Sequence, residues 1–221
     1  MIIIDWNPIQ LQVQSIYDKQ NISFTPFFLE SVELFKKQEY KKVLDIGCGY
    51  GKHSIYLAEN DFCVYSIDIS SQPIEWLRGY IEEKSINNIT ILKADINNLP
   101  FEDDCFDAII CSSVLHHQCM KQIQNSISEI HRVLKQKGCF LFDFMSIGDD
   151  SFGVGEEIES NTFIGSREGE ENIPHHYTNV EELNRLFENF SQIKIQKNKY
   201  HIALDSENKI RSKVFDVLAY K

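Results

Sequence analysis

Three aspartates each close an apolar run: Val43-Leu44-Asp45, Tyr65-Ser66-Ile67-Asp68 and Leu92-Lys93-Ala94-Asp95. An ionised carboxylate only accepts hydrogen bonds, so at a strand end it suits vicinal hydroxyls or an amino group of a bound ligand. Two histidine clusters stand elsewhere, His116-His117 after a fourth apolar run and His175-His176-Tyr177 before a late helical pattern. An imidazole exchanges protons near neutral pH. His116, His176 and Tyr177 are therefore the candidate acid–base groups, although a buried histidine also serves as an ordinary hydrogen-bonding core residue. Arg167 is the only cationic side chain between Lys137 and Arg185. It reads as a solvated surface arginine, with selection of an anionic ligand as the alternative.

Between Asp45 and Asp68 lies Gly47-Cys48-Gly49-Tyr50-Gly51, leading into a helical pattern. Glycines there permit a sharp turn and close approach of backbone to ligand, and the helix start offers unpaired N–H groups. A dinucleotide fingerprint needs G-x-G-x-x-G, but Lys52 stands where its third glycine would fall.

The spacing D-x-G-x-G-x-G resembles motif I of the class I, Rossmann-like S-adenosylmethionine-dependent methyltransferases. Further motifs follow in the family's order. Pro100-Phe101-Glu102-Asp103-Asp104-Cys105-Phe106-Asp107 precedes an apolar strand, Ser112 to His117 resembles the loop after it, and Glu129-Ile130-His131-Arg132-Val133-Leu134-Lys135 comes later. Lys137 departs from the family, which has a glycine there. The resemblance spans Val43 to Phe144. It implies S-adenosyl-L-methionine as cofactor, held by Asp45, Gly47, Cys48, Gly49, Gly51, Asp68, Ile69, Asp95, Ile96, Cys111, Ser112 and His116. Within this set Asp68 would take the ribose hydroxyls and Asp95 the adenine amino group. Direct in-line methyl transfer follows, in which positioning alone supplies about 7–11 kcal/mol; no nucleophile of the protein's own is required.

The elements that must position these groups alternate in type. Strands are expected at Lys42–Ile46, Cys63–Asp68, Ile89–Leu92, Phe106–Cys111 and Cys139–Phe144. Helices are expected after Gly51, from Ser71 with Ile74, Leu77 and Ile81 on one face, and through Ile123, Ile127, Ile130 and Leu134 to a stop at Gly138. This rhythm implies a doubly wound α/β fold with a mostly parallel, seven-stranded sheet. Ile193–Ile195 and Val214–Tyr220 supply an antiparallel edge hairpin. Residues 1–40 read as N-terminal helices acting as a lid, with a helix start at Thr25-Pro26, and residues 41–221 as the methyltransferase domain. The aperiodic, Gly- and Glu-rich segment 146–177 reads as an insertion covering the site. A capping box is expected at Thr178–Glu181.

Composition narrows the function. The net charge of −11 over 221 residues opposes a broad nucleic-acid surface, so an RNA methyltransferase is the weaker alternative. No run of 18 apolar residues marks a membrane span, and the N-terminus carries no evident secretory signal. Six cysteines without a C-x-x-C pair read as reduced thiols of a cytoplasmic protein, with no zinc or disulfide framework. After strand four the chain has Cys-Ser-Ser-Val where amino-methylating enzymes of bases have Asn-Pro-Pro-Tyr. A small-molecule methyl acceptor is the expected partner, and a catalytically silent cofactor-binding subunit the rival.

Overall fold

A computed structural model describes residues 24–167, 170–203 and 209–221. The expected helices before residue 24 lie outside these. Thr25 caps helix α1 (Pro26–Lys37), its side chain accepting from the Phe28 N–H at 3.1 Å. The core elements follow as β1 (Lys42–Ile46), α2 (Lys52–Glu59), β2 (Cys63–Asp68), α3 (Ser71–Glu83), β3 (Ile89–Lys93), β4 (Phe106–Cys111), α4 (Met120–Val133) and β5 (Leu134–Met145). The insertion contributes β6 (Glu156–Glu159), β7 (Thr162–Ile164) and β8 (His175–His176), and the chain continues through α5 (Val180–Leu186), β9 (Gln192–Ala203) and β10 (Lys209–Tyr220).

The sheet runs β3-β2-β1-β4-β5-β10-β9. The five early strands pair in parallel, while β10 is antiparallel to both β5 and β9. Successive side chains of a strand face opposite ways, and both faces here are covered. Val43, Ile110 and Leu141 pack with Phe28, Val32 and Phe35 of α1, Leu57 of α2 and Leu77 of α3. Their neighbours Leu44, Ile109 and Phe140 pack on the other side with Ile123, Ile127 and Ile130 of α4 and Phe187. Strand order reverses between β1 and β4, and in open α/β sheets ligands bind at the carboxyl ends of strands flanking such a switch.

Several boundaries differ from the sequence expectation, with β9 and β10 each running longer than expected. Helix α4 ends at Val133, not Gly138, because Leu134 is already extended and buried in the core of β5. Gly138 lies inside that strand, where a Cβ would come within 2.8 Å of the Asp107 carbonyl oxygen. Lys137, at the family's glycine position, adopts φ +64°, a left-handed conformation that glycine would adopt without strain. Helix α5 is capped by Asn179 rather than Thr178, with the Asn179 carboxamide oxygen accepting from the Glu182 N–H at 2.9 Å. The insertion, expected to be irregular, forms a three-stranded sheet, β6-β7-β8. Its neck is closed: Ser146 bridges Thr178, and the Thr178 N–H donates to the Met145 carbonyl at 2.8 Å.

Candidate active site

The glycine turn fills the mouth of the β1/β4 switch. Gly47 has φ +66°, and a Cβ there would approach Val114 Cγ2 to 2.2 Å. The turn and the loop after β4 are thus pressed together. Gly49, by contrast, has nothing within 4 Å of its notional Cβ, which leaves its backbone open to a ligand. Gly47→Ala is expected to abolish tight cofactor binding and lower the melting temperature by several degrees, read by calorimetric titration and thermal melting. An unchanged affinity would mean that this turn does not shape the cofactor site.

Asp68 ends β2 and accepts from the Gly49 N–H at 2.9 Å and the Ser70 N–H at 2.8 Å. Burial raises its pKa. Each carboxylate oxygen retains acceptor capacity beyond these bonds. Ile69 beside it is 52% exposed, an apolar surface at the strand ends. Asp95 is exposed, its Oδ1 accepting from the Asn97 N–H at 2.9 Å, and Ile96 is half-buried next to it. These groups fit an adenosine: an apolar patch flanked by two acids, facing an open glycine backbone.

Three more of the expected cofactor residues, Asp45, Cys48 and Cys111, are buried. Asp45 accepts from Ser54 Oγ at 2.6 Å, which accepts in turn from Ser66 Oγ at 2.7 Å, and burial pushes its carboxyl up to about 7. Cys111 is wholly buried, its thiol pushed well above its usual range by burial. Cys48 is buried too, and its N–H donates to the Ile67 carbonyl at 2.9 Å.

Beyond the turn lies a cavity of about 320 Å³. Phe24, Phe27 and Phe28 from α1 and its approach form one wall, Lys52 and His53 of α2 another, and Ser112, Ser113, Asp143, Tyr200 and Asp216 the floor. Asp143 of β5 and Asp216 of β10 are direct cross-strand partners, 3% and 2% exposed. Residues so paired have Cβ atoms about 4.5–5.5 Å apart, and like charges there repel. Asp143 accepts from Ser112 Oγ at 2.9 Å and the Ser113 N–H at 2.8 Å, yet burial, with Asp216 adding to it, pushes its carboxyl up to about 6. Asp216 accepts from Asn198 Nδ2 at 2.7 Å and from the Tyr200 hydroxyl, and burial raises it as well. Burial beside Lys52 pushes the His53 imidazole down to about 3, so it is neutral at physiological pH.

None of the expected catalytic side chains lines this cavity. His116 is buried, its Nδ1 3.9 Å from Asp143 Oδ1, and that nitrogen has no hydrogen bond among the described residues. His176 is fully buried between Thr162 Oγ1 at 2.8 Å and Glu182 Oε2 at 3.1 Å. Tyr177 is fully buried, donating to Ser151 Oγ at 2.8 Å. Neither residue lines the cavity. Arg167 is not a solvated surface residue: Asp149 at 3.4 Å and Ser212 Oγ at 3.0 Å hold it, with its side chain 16% exposed.

Lone carboxylates inside apolar strands, Phe142-Asp143-Phe144 and Phe215-Asp216-Val217, are the sequence signal for the two floor acids. A buried carboxylate is costly and is retained for a reason. Lys52 and His53 carry no such signal. Their place at the start of α2, directly after the glycine turn, is what brings them to the cavity.

A seven-stranded doubly wound sheet with a glycine turn and two strand-end acids at its switch point defines a class I, Rossmann-like nucleoside-cofactor domain. A methyltransferase-domain family profile matches residues 43–138. Over these residues the chain is similar to the methyltransferase-domain family, and its fold is that of class I S-adenosylmethionine-dependent methyltransferases. It is 34% identical over 163 residues to an uncharacterized protein of Methanocaldococcus jannaschii, covering 66% of this chain and 65% of the relative. It is also 32% identical over 100 residues to the uncharacterized methyltransferase YcgJ of Bacillus subtilis, covering 45% and 39%. The chain thus spans between 39% and 65% of these relatives' lengths. A Methanosarcina mazei S-adenosylmethionine-dependent methyltransferase shares the fold, with TM-score 0.71 at 22% identity over 90% of this chain and 99% of that one. So does TehB of Haemophilus influenzae, with TM-score 0.67 at 22% identity over 92% and 65%. Among the described residues, no helix is long and apolar enough to cross a membrane.

Proposed function

We propose that this chain methylates a small-molecule acceptor bearing an amine, bound in the cavity between α1 and the carboxyl ends of β5 and β10. The observation that carries this reading is the facing Asp143–Asp216 pair on the cavity floor. Two buried acids opposite one another favour a cationic guest, which offsets their repulsion, and three phenylalanines beside them suit its apolar body and its charge. The volume falls in the usual small-ligand range of about 300–1,000 Å³.

Cofactor and acceptor sites share a loop: Val114 presses on Gly47 while Ser112 and Ser113 bond Asp143. We assign the cofactor to the Gly49 backbone, Asp68, Ile69, Asp95, Ile96 and the backbone of Cys111–Ser112. When bound, S-adenosylmethionine supplies a methyl group on a sulfonium, already activated for displacement. The chain's own part is to orient the acceptor nitrogen between the two acids, exclude water, and receive the nitrogen's proton on an Asp143 oxygen. A base whose pKa sits near the working pH serves that transfer best. His116, packed 3.9 Å behind Asp143, acts as a positioning residue. His176 and Tyr177 hold the insertion that backs it. The six unpaired cysteines support a reducing, cytoplasmic setting.

Calorimetric titration is expected to show micromolar-range binding of S-adenosylhomocysteine and none of NAD; binding of NAD alone would end the reading. Labelled S-adenosylmethionine with a panel of amines, phenols, thiols and carboxylates is then expected to mark amines. Tight cofactor binding with no turnover on any acceptor would instead support a silent subunit, and turnover confined to RNA would overturn the small-molecule assignment.

A further inference from the structure

The insertion and the loop after β4 meet at a cluster that the methyl-transfer reading leaves unused. His117 from the loop, with Glu170 and His175 from the insertion, bring one ligand atom each to within 4.8 Å of one another. The rings of His117 and His175 stand edge to face, centroids 4.9 Å apart. We propose that His117, Glu170 and His175 form a binding site for a zinc-like divalent cation, which fastens the insertion to the loop after β4.

The tautomer of His175 is the strongest argument. Its Nδ1 lies 3.0 Å from the Ile173 carbonyl oxygen. A carbonyl only accepts, so Nδ1 carries the proton, and in the neutral ring Nε2 presents a lone pair. That lone pair faces Glu170 Oε2 at 2.7 Å, a carboxylate oxygen that is also an acceptor. Two acceptors at that separation need something positive between them, either an extra proton or a metal ion. A ring N–H given to a backbone carbonyl, with the other nitrogen aimed into a cluster, is the arrangement that orients metal-ligating histidines.

The donor set fits the ion. Two imidazoles and one carboxylate suit zinc, with a fourth position left for water. Bonds of about 2.0–2.2 Å to a tetrahedral ion place the donors roughly 3.3–3.5 Å apart. The 2.7 Å pair must open, and any pair near the 4.8 Å limit must close by up to about 1.5 Å, within reach of side-chain rotation. The nearby Arg167 is paired with Asp149, so its charge is largely compensated. The His116 carbonyl accepts from the His176 N–H at 2.7 Å, which already aligns loop and strand. The cysteine spacing argued against a thiolate zinc framework; this cluster contains no sulfur.

The test uses the full chain stripped of metal with a chelator and then titrated with zinc and, separately, cobalt(II). One equivalent of zinc is expected to bind with micromolar or tighter affinity and to raise the melting temperature. Cobalt should give visible d–d bands without near-ultraviolet thiolate charge transfer. Glu170→Gln, which retains a side chain able to hydrogen-bond His175, should weaken zinc binding at least about tenfold, and His117→Gln similarly, given that even outer-shell partners are worth 10–100-fold. Circular dichroism establishes that each variant is folded; were His117→Gln to unfold, Glu170→Gln alone decides. Absence of zinc binding at 100-fold excess, thiolate charge transfer, or wild-type affinity in a folded Glu170→Gln would each overturn the site. Affinity for S-adenosylhomocysteine, measured in parallel, reports on the methyltransferase reading separately.

Discussion

Asp143→Asn is expected to lower turnover by about 10²–10⁴-fold, the range a positioned acid–base group contributes, with affinity for S-adenosylhomocysteine changed only a few-fold. Asparagine fills the same space. Its oxygen accepts from the Ser113 N–H and its nitrogen donates to Ser112 Oγ, so the loop around Gly47 keeps its support. What is lost is a carboxylate able to take a proton. For the native chain, turnover should rise with pH through about 6, as Asp143 ionises. Stability should respond the other way. The carboxyl is raised from 3.8 to about 6 in the folded protein, so its contribution is fully present below pH 3.8 and is lost as pH rises through 6. Asparagine, uncharged opposite Asp216, should therefore melt no lower than the native chain at pH 8 while being nearly inactive. Stopped-point assays with labelled cofactor and melting curves at pH 5 and 8 measure both. Full turnover in the variant, or equal collapse of cofactor binding, would remove Asp143 from the acceptor site.

Asp68→Ala should weaken S-adenosylhomocysteine binding ten- to a hundredfold, because hydrogen bonds to a charged group are worth about 1.5–3 kcal/mol. The same change frees the Gly49 and Ser70 N–H groups that the carboxylate now holds, so some loss of melting temperature accompanies it. The two effects separate by comparison with Asp68→Asn. Asparagine still accepts from one N–H but binds a diol poorly. Should Asp68→Ala lower the melting point with an unchanged dissociation constant, the acid braces the turn and does not hold the ribose.

Local signals carried much of this architecture. β1, β2 and β4 coincide with their expected residues because each is a short apolar run closed by a turn, and Thr25-Pro26 marks the start of α1 by capping chemistry alone. The place of the glycine turn and the strand-end acids at the switch point was legible for the same reason, since backbone position follows sequence order. The cavity floor was not. Asp143 and Asp216 are 73 positions apart in the chain and become neighbours only through antiparallel pairing of β5 with β10. Strands β6 to β8 have two to four residues each, too few to show a period of two, and their pairing is a tertiary event. His176 and Tyr177 stood out by residue type, but type does not reveal direction, and both turn into packing against Phe144, Met145 and Phe163.

The closed neck of the insertion has a consequence for how such a fold diversifies. Ser146 and Thr178 lie side by side, so everything between them leaves and re-enters the main sheet at one place. Changing the length of such an excursion costs little, since doubling a loop adds only about 0.6 kcal/mol of closure entropy. Strands β5 and β10 keep their own pairing, and of their bonds the exchange gives up only those from the insertion to Ser212 and Lys213 of β10. The segment is thus a natural cassette: descendants of one ancestor can trade it for another and reshape what adjoins the loop after β4, while inheriting the glycine turn and the strand-end acids unaltered.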